Sequence, residues 1–105
     1  MPYAAAADIV ELYGSDALYV ADRDGDGVPD VGAAERALAS ATAEIDTYLA
    51  ARYALPLIEP RDPMLRQWCV DIALYRLALN ASVLSDEHRR RYEDAIDALR
   101  RLAKG

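Results

Sequence analysis

Asp62-Pro63-Met64-Leu65-Arg66-Gln67-Trp68-Cys69-Val70-Asp71-Ile72-Ala73-Leu74-Tyr75-Arg76-Leu77-Ala78-Leu79-Asn80 is the stretch that decides the fold. Asp62 reads as an N-cap, whose side-chain oxygen accepts from an open amide of the first turn. Pro63 follows at the first helical position, where its missing N–H costs nothing. Leu65, Trp68, Cys69, Ile72, Tyr75 and Leu79 then recur at helical spacing and predict one buried face. The helix is expected to run to about Leu79, with Asn80 as its stop.

Upstream, residues 54–61 contain Pro56 and Pro60 and cannot be helical throughout. The longest periodic stretch lies before them, over residues 33–53. Ala34, Leu38, Ala41, Ile45, Tyr48, Leu49 and Arg52 fall on one helical face, and its many alanines allow close helix approach. Residues 4–13 are Ala-rich, carry Ile9, Val10, Leu12 and Tyr13, and end at Gly14, a helix-terminating glycine. Ser15 and Asp16 can start a short second helix through Val20. Downstream, Ser85 caps a last helix with Asp86 and Glu87 in its first turn and Arg100, Arg101 and Lys104 near its end, as the helix dipole favours. Tyr92, Ile96, Leu99 and Leu102 form its apolar stripe. No segment reads convincingly as a strand. The expected fold is all-α: one domain over residues 1–105, a small bundle of three main helices, one or two short N-terminal helices and an acidic Asp/Gly loop.

The loop is Asp22-Arg23-Asp24-Gly25-Asp26-Gly27-Val28-Pro29-Asp30. In a calcium loop, positions 1, 3 and 5 give side-chain oxygens, position 6 is glycine, position 7 gives a backbone carbonyl and position 9 acts through water. Asp22, Asp24, Asp26, Gly27, Val28 and Asp30 occupy those places. Position 12, where a bidentate Glu is expected, is Ala33, and Glu35 stands two residues later. Asp and Gly also build metal-free tight turns. Four like charges in nine residues repel one another without a cation, so a structural Ca2+ is the preferred reading. A calcium sensor would pair two such loops, and this chain has one.

The 105 residues carry a net charge of −6, which argues against general nucleic-acid affinity. Residues 1–62 carry −8 and residues 63–105 carry +2, so the chain is polar in charge along its length. In an oligomer that polarity can order subunits head to tail. One cysteine rules out an intrachain disulfide framework, and Cys69 is expected as a buried small hydrophobe. Seven tyrosines and no phenylalanine favour amphipathic aromatic contacts at surfaces and interfaces. No signal peptide and no membrane-length apolar run is present in these residues.

No catalytic constellation is legible. His88 is the single histidine, expected exposed in the first turn of the last helix, and has no nucleophile to serve. The chain is therefore not expected to be an enzyme. The run His88-Arg89-Arg90-Arg91 reads as a solvated helix face, with Arg89 meeting Glu93 and Arg90 meeting Asp94, or as a surface for an acidic partner. Tyr48 to Leu57 ends a helix with Arg52 between two tyrosines and runs into an apolar Pro loop. That loop either folds back on the core or offers Tyr53, Leu55 and Leu57 to a neighbouring subunit.

Several of these segments together resemble a family from Mu-like phages and prophages, long catalogued as a domain of unknown function. They are Met1-Pro-Tyr-Ala4 with Asp8 and Tyr13-Gly14, Asp22 to Gly27, Ala37-Leu38 with Glu44-Ile-Asp46, Tyr48 to Leu57, and Cys69-Val-Asp-Ile-Ala-Leu-Tyr-Arg76. The resemblance runs in order along essentially the whole chain. It implies a neck protein of a tailed phage, of the helical head–tail connector (adaptor) type. Such a protein forms a homo-oligomeric ring below the portal, twelvefold like the portal, and extends the DNA channel. It meets the portal protein and other neck or tail-completion proteins, and genomic DNA passes through its lumen without sequence-specific binding. Its expected location is the virion neck, after assembly in the host cytoplasm and without a membrane. By analogy with helical adaptors, Arg89, Arg90, Arg91, Arg100, Arg101 and Lys104 are placed at the portal, and Tyr53, Leu55 and Leu57 at a partner. The competing reading is a calcium-dependent protein-binding module of dockerin or EF-hand type. A small DNA-binding helical protein is disfavoured by the negative charge.

Overall fold

A computed structural model describes residues 3–14, 17, 31–50, 63–80 and 85–104, and every structural statement below concerns these residues. They form four helices: α1 (Ala6–Tyr13), α2 (Val31–Leu49), α3 (Pro63–Asn80) and α4 (Asp86–Lys104). There is no strand among them. The all-α reading holds, with three long helices and one short N-terminal one.

Both ends of α1 and the starts of α3 and α4 have local causes. In front of α1, the Asp8 carboxylate accepts the Ala5 N–H at 2.7 Å, fixing the entry of the chain. Behind it, Gly14 takes φ +90° and donates its N–H to the Val10 carbonyl at 2.8 Å. A Cβ there would meet nothing within 4 Å. The backbone angle, not crowding, is what calls for glycine. Pro63 opens α3 as expected. Ser85 caps α4: its Oγ accepts the His88 N–H at 3.1 Å and lies 2.8 Å from His88 Nδ1. The proposed helix from Ser15 to Val20 lies outside the described residues apart from Ala17. The Pro56–Pro60 segment, Asp62 and Arg52 also lie outside them. The long helix is described to Leu49, with Ala50 in a turn.

α3 is the hub. It packs against α1, α2 and α4, and α2 also meets α4. Its residues 69–74 are buried without interruption. A helix enclosed on most sides loses its single-face pattern, and here the sequence reading needs correcting. Leu79, expected in the core, is 52% exposed, and Trp68 and Tyr75 are half-buried. Val70, Ala73, Leu74 and Leu77 are buried in addition to Leu65, Cys69 and Ile72.

The flanking helices keep the expected stripes. Ala34, Leu38, Ala41, Ile45 and Leu49 of α2 are buried with Tyr48 half-buried, and on α4 Ile96 and Leu99 are buried with Tyr92 and Leu102 half-buried. The small side chains Ala33, Ala34, Ala41, Ala73 and Ala95 line the core and leave room for close helix approach. α1 contributes much less: Ile9 is its one large, fully buried side chain. Burying that side chain is worth roughly 1.5–3 kcal/mol.

Candidate functional site

Polar side chains inside the bundle are concentrated where two or three helices meet. The first junction joins α2, α3 and α4. Glu44 on α2 accepts Arg76 of α3 on one carboxylate oxygen and the Tyr92 hydroxyl of α4 on the other, the latter at 3.0 Å. The Tyr92 ring stacks on Tyr75, with centroids 4.1 Å apart and planes 12° from parallel. Burial, then the bond to the Glu44 carboxylate, push the Tyr92 phenol up to about 12. Arg76 Nε is buried with no partner among the described residues.

The second junction joins α1, α3 and α4. The Tyr13 hydroxyl donates to Asp71 Oδ1 at 2.5 Å. Gln67, one turn before Asp71, donates to the Tyr13 oxygen at 2.6 Å and to Asp71 at 3.1 Å. The Arg91 guanidinium lies 4.0 Å over the Tyr13 ring centroid, a cation–π contact, and also pairs with Glu87. Asp71 is 8% exposed, and burial raises its carboxyl above the ordinary range against the pull of Tyr13 and Gln67. Burial and the Asp71 bond push the Tyr13 phenol up to about 12.

The third junction holds the extended segment before α1. The Tyr3 N–H donates to Thr42 Oγ1 at 3.0 Å, and its hydroxyl donates to Asp46. Burial and Asp46 raise the Tyr3 phenol. Thr42 Oγ1 bonds back to the Leu38 carbonyl at 2.9 Å and lies 3.5 Å from Cys69 Sγ. Cys69 is fully buried, as expected of a small hydrophobe, and burial pushes its thiol up.

Sequence reasoning missed these three tyrosine–carboxylate junctions. Their signal was the excess of tyrosine over phenylalanine, together with Gln67 and Asp71 one turn apart. These tyrosines serve joints within the chain, where a phenylalanine could fill space but not donate.

The proposed site residues divide three ways. Asp22, Asp24, Asp26, Val28 and Asp30 of the cation loop, and Tyr53, Leu55 and Leu57 of the apolar loop, lie outside the described residues. Glu35, the proposed closing ligand, accepts the Ala6 N–H on Oε1 at 3.2 Å. Arg89, Arg90, Arg100, Arg101 and Lys104 are exposed on α4. Arg91 is half-buried against Tyr13 and Glu87. The expected pairs Arg89–Glu93 and Arg90–Asp94 do not form; Arg91–Glu87 and Arg100–Asp97, the latter at 4.0 Å, take that role. His88, expected exposed, is half-buried through its contact with Ser85, and burial followed by the nearby Arg91 lowers its pKa.

Two surface features remain. One is the exposed face of α4, where Arg89, Arg90, Arg101 and Lys104 have no ion-pair partner among the described residues. The other is a groove of about 230 Å³ between α2 and α3, with Ala37, Leu77 and Leu79 along it and Arg36, Ser40 and Arg76 beside them. Among the described residues, no three His, Cys, Asp or Glu side chains converge to hold a metal ion. No described helix is long and apolar enough to cross a membrane.

Internal polar junctions and a charged outer helix are the marks of a helical domain whose polar side chains mostly join its own elements. The chain belongs to a phage family: the family described as Bacteriophage Mu, Gp36 matches residues 3–105. It is 37% identical over 107 aligned residues to gene product J of Escherichia phage Mu, covering 100% of this chain and 74% of that protein. It is also 38% identical over 76 residues to the Mu-like prophage FluMu protein gp36 of Haemophilus influenzae. That match covers 72% of this chain and 52% of the relative. The Mu-like resemblance read from the sequence is thereby established, and the family points to a structural or morphogenetic part in a phage.

Proposed function

We propose that this chain is a structural neck protein of a tailed bacteriophage. In this reading it is a head–tail connector that assembles as a homo-oligomeric ring below the portal, extends the DNA channel and joins head to tail. The observation that carries the reading is the family match, which spans residues 3–105 and so takes in the whole bundle. The fold is consistent with it. A compact helical body stiffened by polar junctions suits a part that bears load without doing chemistry. The outer face of α4 offers Arg89, Arg90, Arg101 and Lys104 to an acidic protein surface, with the portal as the partner. The net charge of −6 suits a channel that must not hold DNA, because each phosphate contact would retard it. The loop Asp22–Asp30 is proposed to bind a structural Ca2+, with Glu35 still offering Oε2.

The test is electron microscopy of this protein mixed with the portal protein of the same phage genome, in calcium and in chelator, beside each protein alone. A ring of added density on the tail-facing end of the portal is the expected result, and its symmetry gives the copy number. A portal that stays bare in both buffers rejects the connector reading. Density that appears only in calcium assigns the acidic loop a part in assembly.

A further inference from the structure

The segment Tyr3–Gly14 is attached to the bundle differently from the three long helices. Its apolar anchors are Ala4, Ala6 and Ile9, and Ile9 is the one large side chain among them that is fully buried. Tyr3, Leu12 and Tyr13 pack against the core as half-buried side chains, and the other attachments are polar. Tyr3 reaches Thr42 and Asp46, the Ala6 N–H reaches Glu35, and Tyr13 reaches Asp71. Arg66 of α3 contacts Asp8 at 3.3 Å and Glu11 at 3.4 Å. Apart from the Tyr13–Asp71 bond, whose acceptor is buried, these half-exposed bonds exchange readily with water, so each adds little to holding the segment down. The large fully buried side chains Leu38, Ile45, Ile72, Leu74 and Leu99 are carried by α2, α3 and α4 themselves. Gly14, at φ +90°, ends the segment at a point of conformational freedom.

We infer that Tyr3–Tyr13 is a detachable latch over the seam between α2 and α3, which opens as one unit while the three-helix core stays folded. Local opening below the free energy of global unfolding is the behaviour expected of an element with few buried apolar contacts and many half-exposed hydrogen bonds. What the latch covers is specific. The Tyr3 N–H donates to Thr42 Oγ1 at 3.0 Å, and that oxygen in turn lies 3.5 Å from the sulfur of Cys69, which also sits 3.5 Å from the Leu38 carbonyl. Opening therefore uncovers the thiol together with Thr42 and Asp46. A partner that binds this seam selects the open chain. The inference rests on the bundle itself and stands whether or not the connector reading does.

Cys69 is the only cysteine, so a thiol reagent reads this one position. The experiment follows the reaction of dithionitrobenzoate with the full chain across sub-denaturing urea. The latch predicts labelling whose rate depends weakly on urea, because opening exposes little surface. It further predicts that Ile9→Ala and Tyr13→Phe each speed labelling at least about tenfold while helical circular dichroism is retained, since each removes about 1.4 kcal/mol or more from closure. Leu99→Ala, about two turns beyond Arg91 on α4, weakens the core without touching the latch and should leave the rate at zero urea unchanged. Labelling with the full urea dependence of global unfolding in the wild type overturns the inference, even if no variant folds. So does a Leu99→Ala rate that rises as much as that of Tyr13→Phe.

Discussion

The N-terminal segment and the three-helix core are built on opposite principles. The core is held by apolar side chains packed on a central helix, with one tyrosine–glutamate–arginine junction set among them. The segment Tyr3–Gly14 is held largely by hydrogen bonds and ion pairs, with one large fully buried side chain, Ile9, beside two small alanines and half-buried flanking side chains. Burial scales with area and needs no exact geometry, whereas a hydrogen bond needs its partner in place and competes with water throughout. The first kind of attachment sets the fold. The second positions an element that can be let go. Changes in the two regions should differ in both size and character.

The sharpest test of that contrast is Ile72→Ala at the centre of α3. It should cost about 3–4 kcal/mol, read as a lower midpoint in urea with an unchanged slope. A loss under ~1 kcal/mol would mean that the core does not close around α3. Tyr13→Phe comes next. It leaves Asp71 buried with Gln67 as its one remaining donor, and should cost about 1.5–2 kcal/mol as a missing bond to a charged group. Its effect on hydrogen exchange should concentrate in α1. Equal acceleration across α3 would erase the distinction between the regions.

Alkali gives a smaller and reversible probe. Tyr13 and Tyr92 are protonated more tightly in the folded chain, their phenols moved from 10.0 up to about 12. Their contribution is therefore full below pH ~10, the unfolded value, and disappears as the pH rises through about 12. Stability should fall over that interval, with phenolate absorbance lagging behind that of free tyrosine. Absorbance that matched seven ordinary tyrosines would remove the tyrosine–carboxylate junctions. The smallest effect is expected from Arg101→Ala with Lys104→Ala on the outer face of α4. It should shift stability by less than ~0.5 kcal/mol, since neither residue has an ion-pair partner among the described residues. A thermal melt shifted by several degrees would show that α4 has a structural duty on its outer face as well.

Helix faces were legible wherever one side of the helix stays open to solvent. α2 and α4 each keep an exposed face opposite the core, and most of the residues expected on their inner stripes are buried, with Tyr48, Tyr92 and Leu102 half-buried. Gly14, Pro63 and Ser85 marked helix ends by chemistry that acts locally and needs no knowledge of the fold. α3 defeated the same method because it is enclosed on most sides, with residues 69–74 buried without interruption. Its pattern approaches continuous apolarity, and choosing one face put Leu79 inside and left Val70 and Leu74 out. The polar junctions were not legible, because each pairs residues some thirty to sixty positions apart, such as Tyr13 with Asp71. On α4 the sequence showed a run of cations, but it had no means to separate Arg91, engaged with Tyr13, from Arg89 and Arg90, and the i,i+4 pairs expected of the latter two do not form. The acidic loop and the apolar Pro loop fall outside the described residues, so their assignments stay proposals.

The central position of α3 also bears on how such chains can diverge. A residue on α4 has one side open to solvent and can drift there freely. Between Cys69 and Leu74 nearly every change alters a volume that a neighbouring helix already fills, so acceptable substitutions need a matching change elsewhere. Lineages separated for long periods should then keep this stretch longest while their outer helices become unalike. It is fitting that Cys69 to Arg76 is among the segments by which the family could be recognised at all.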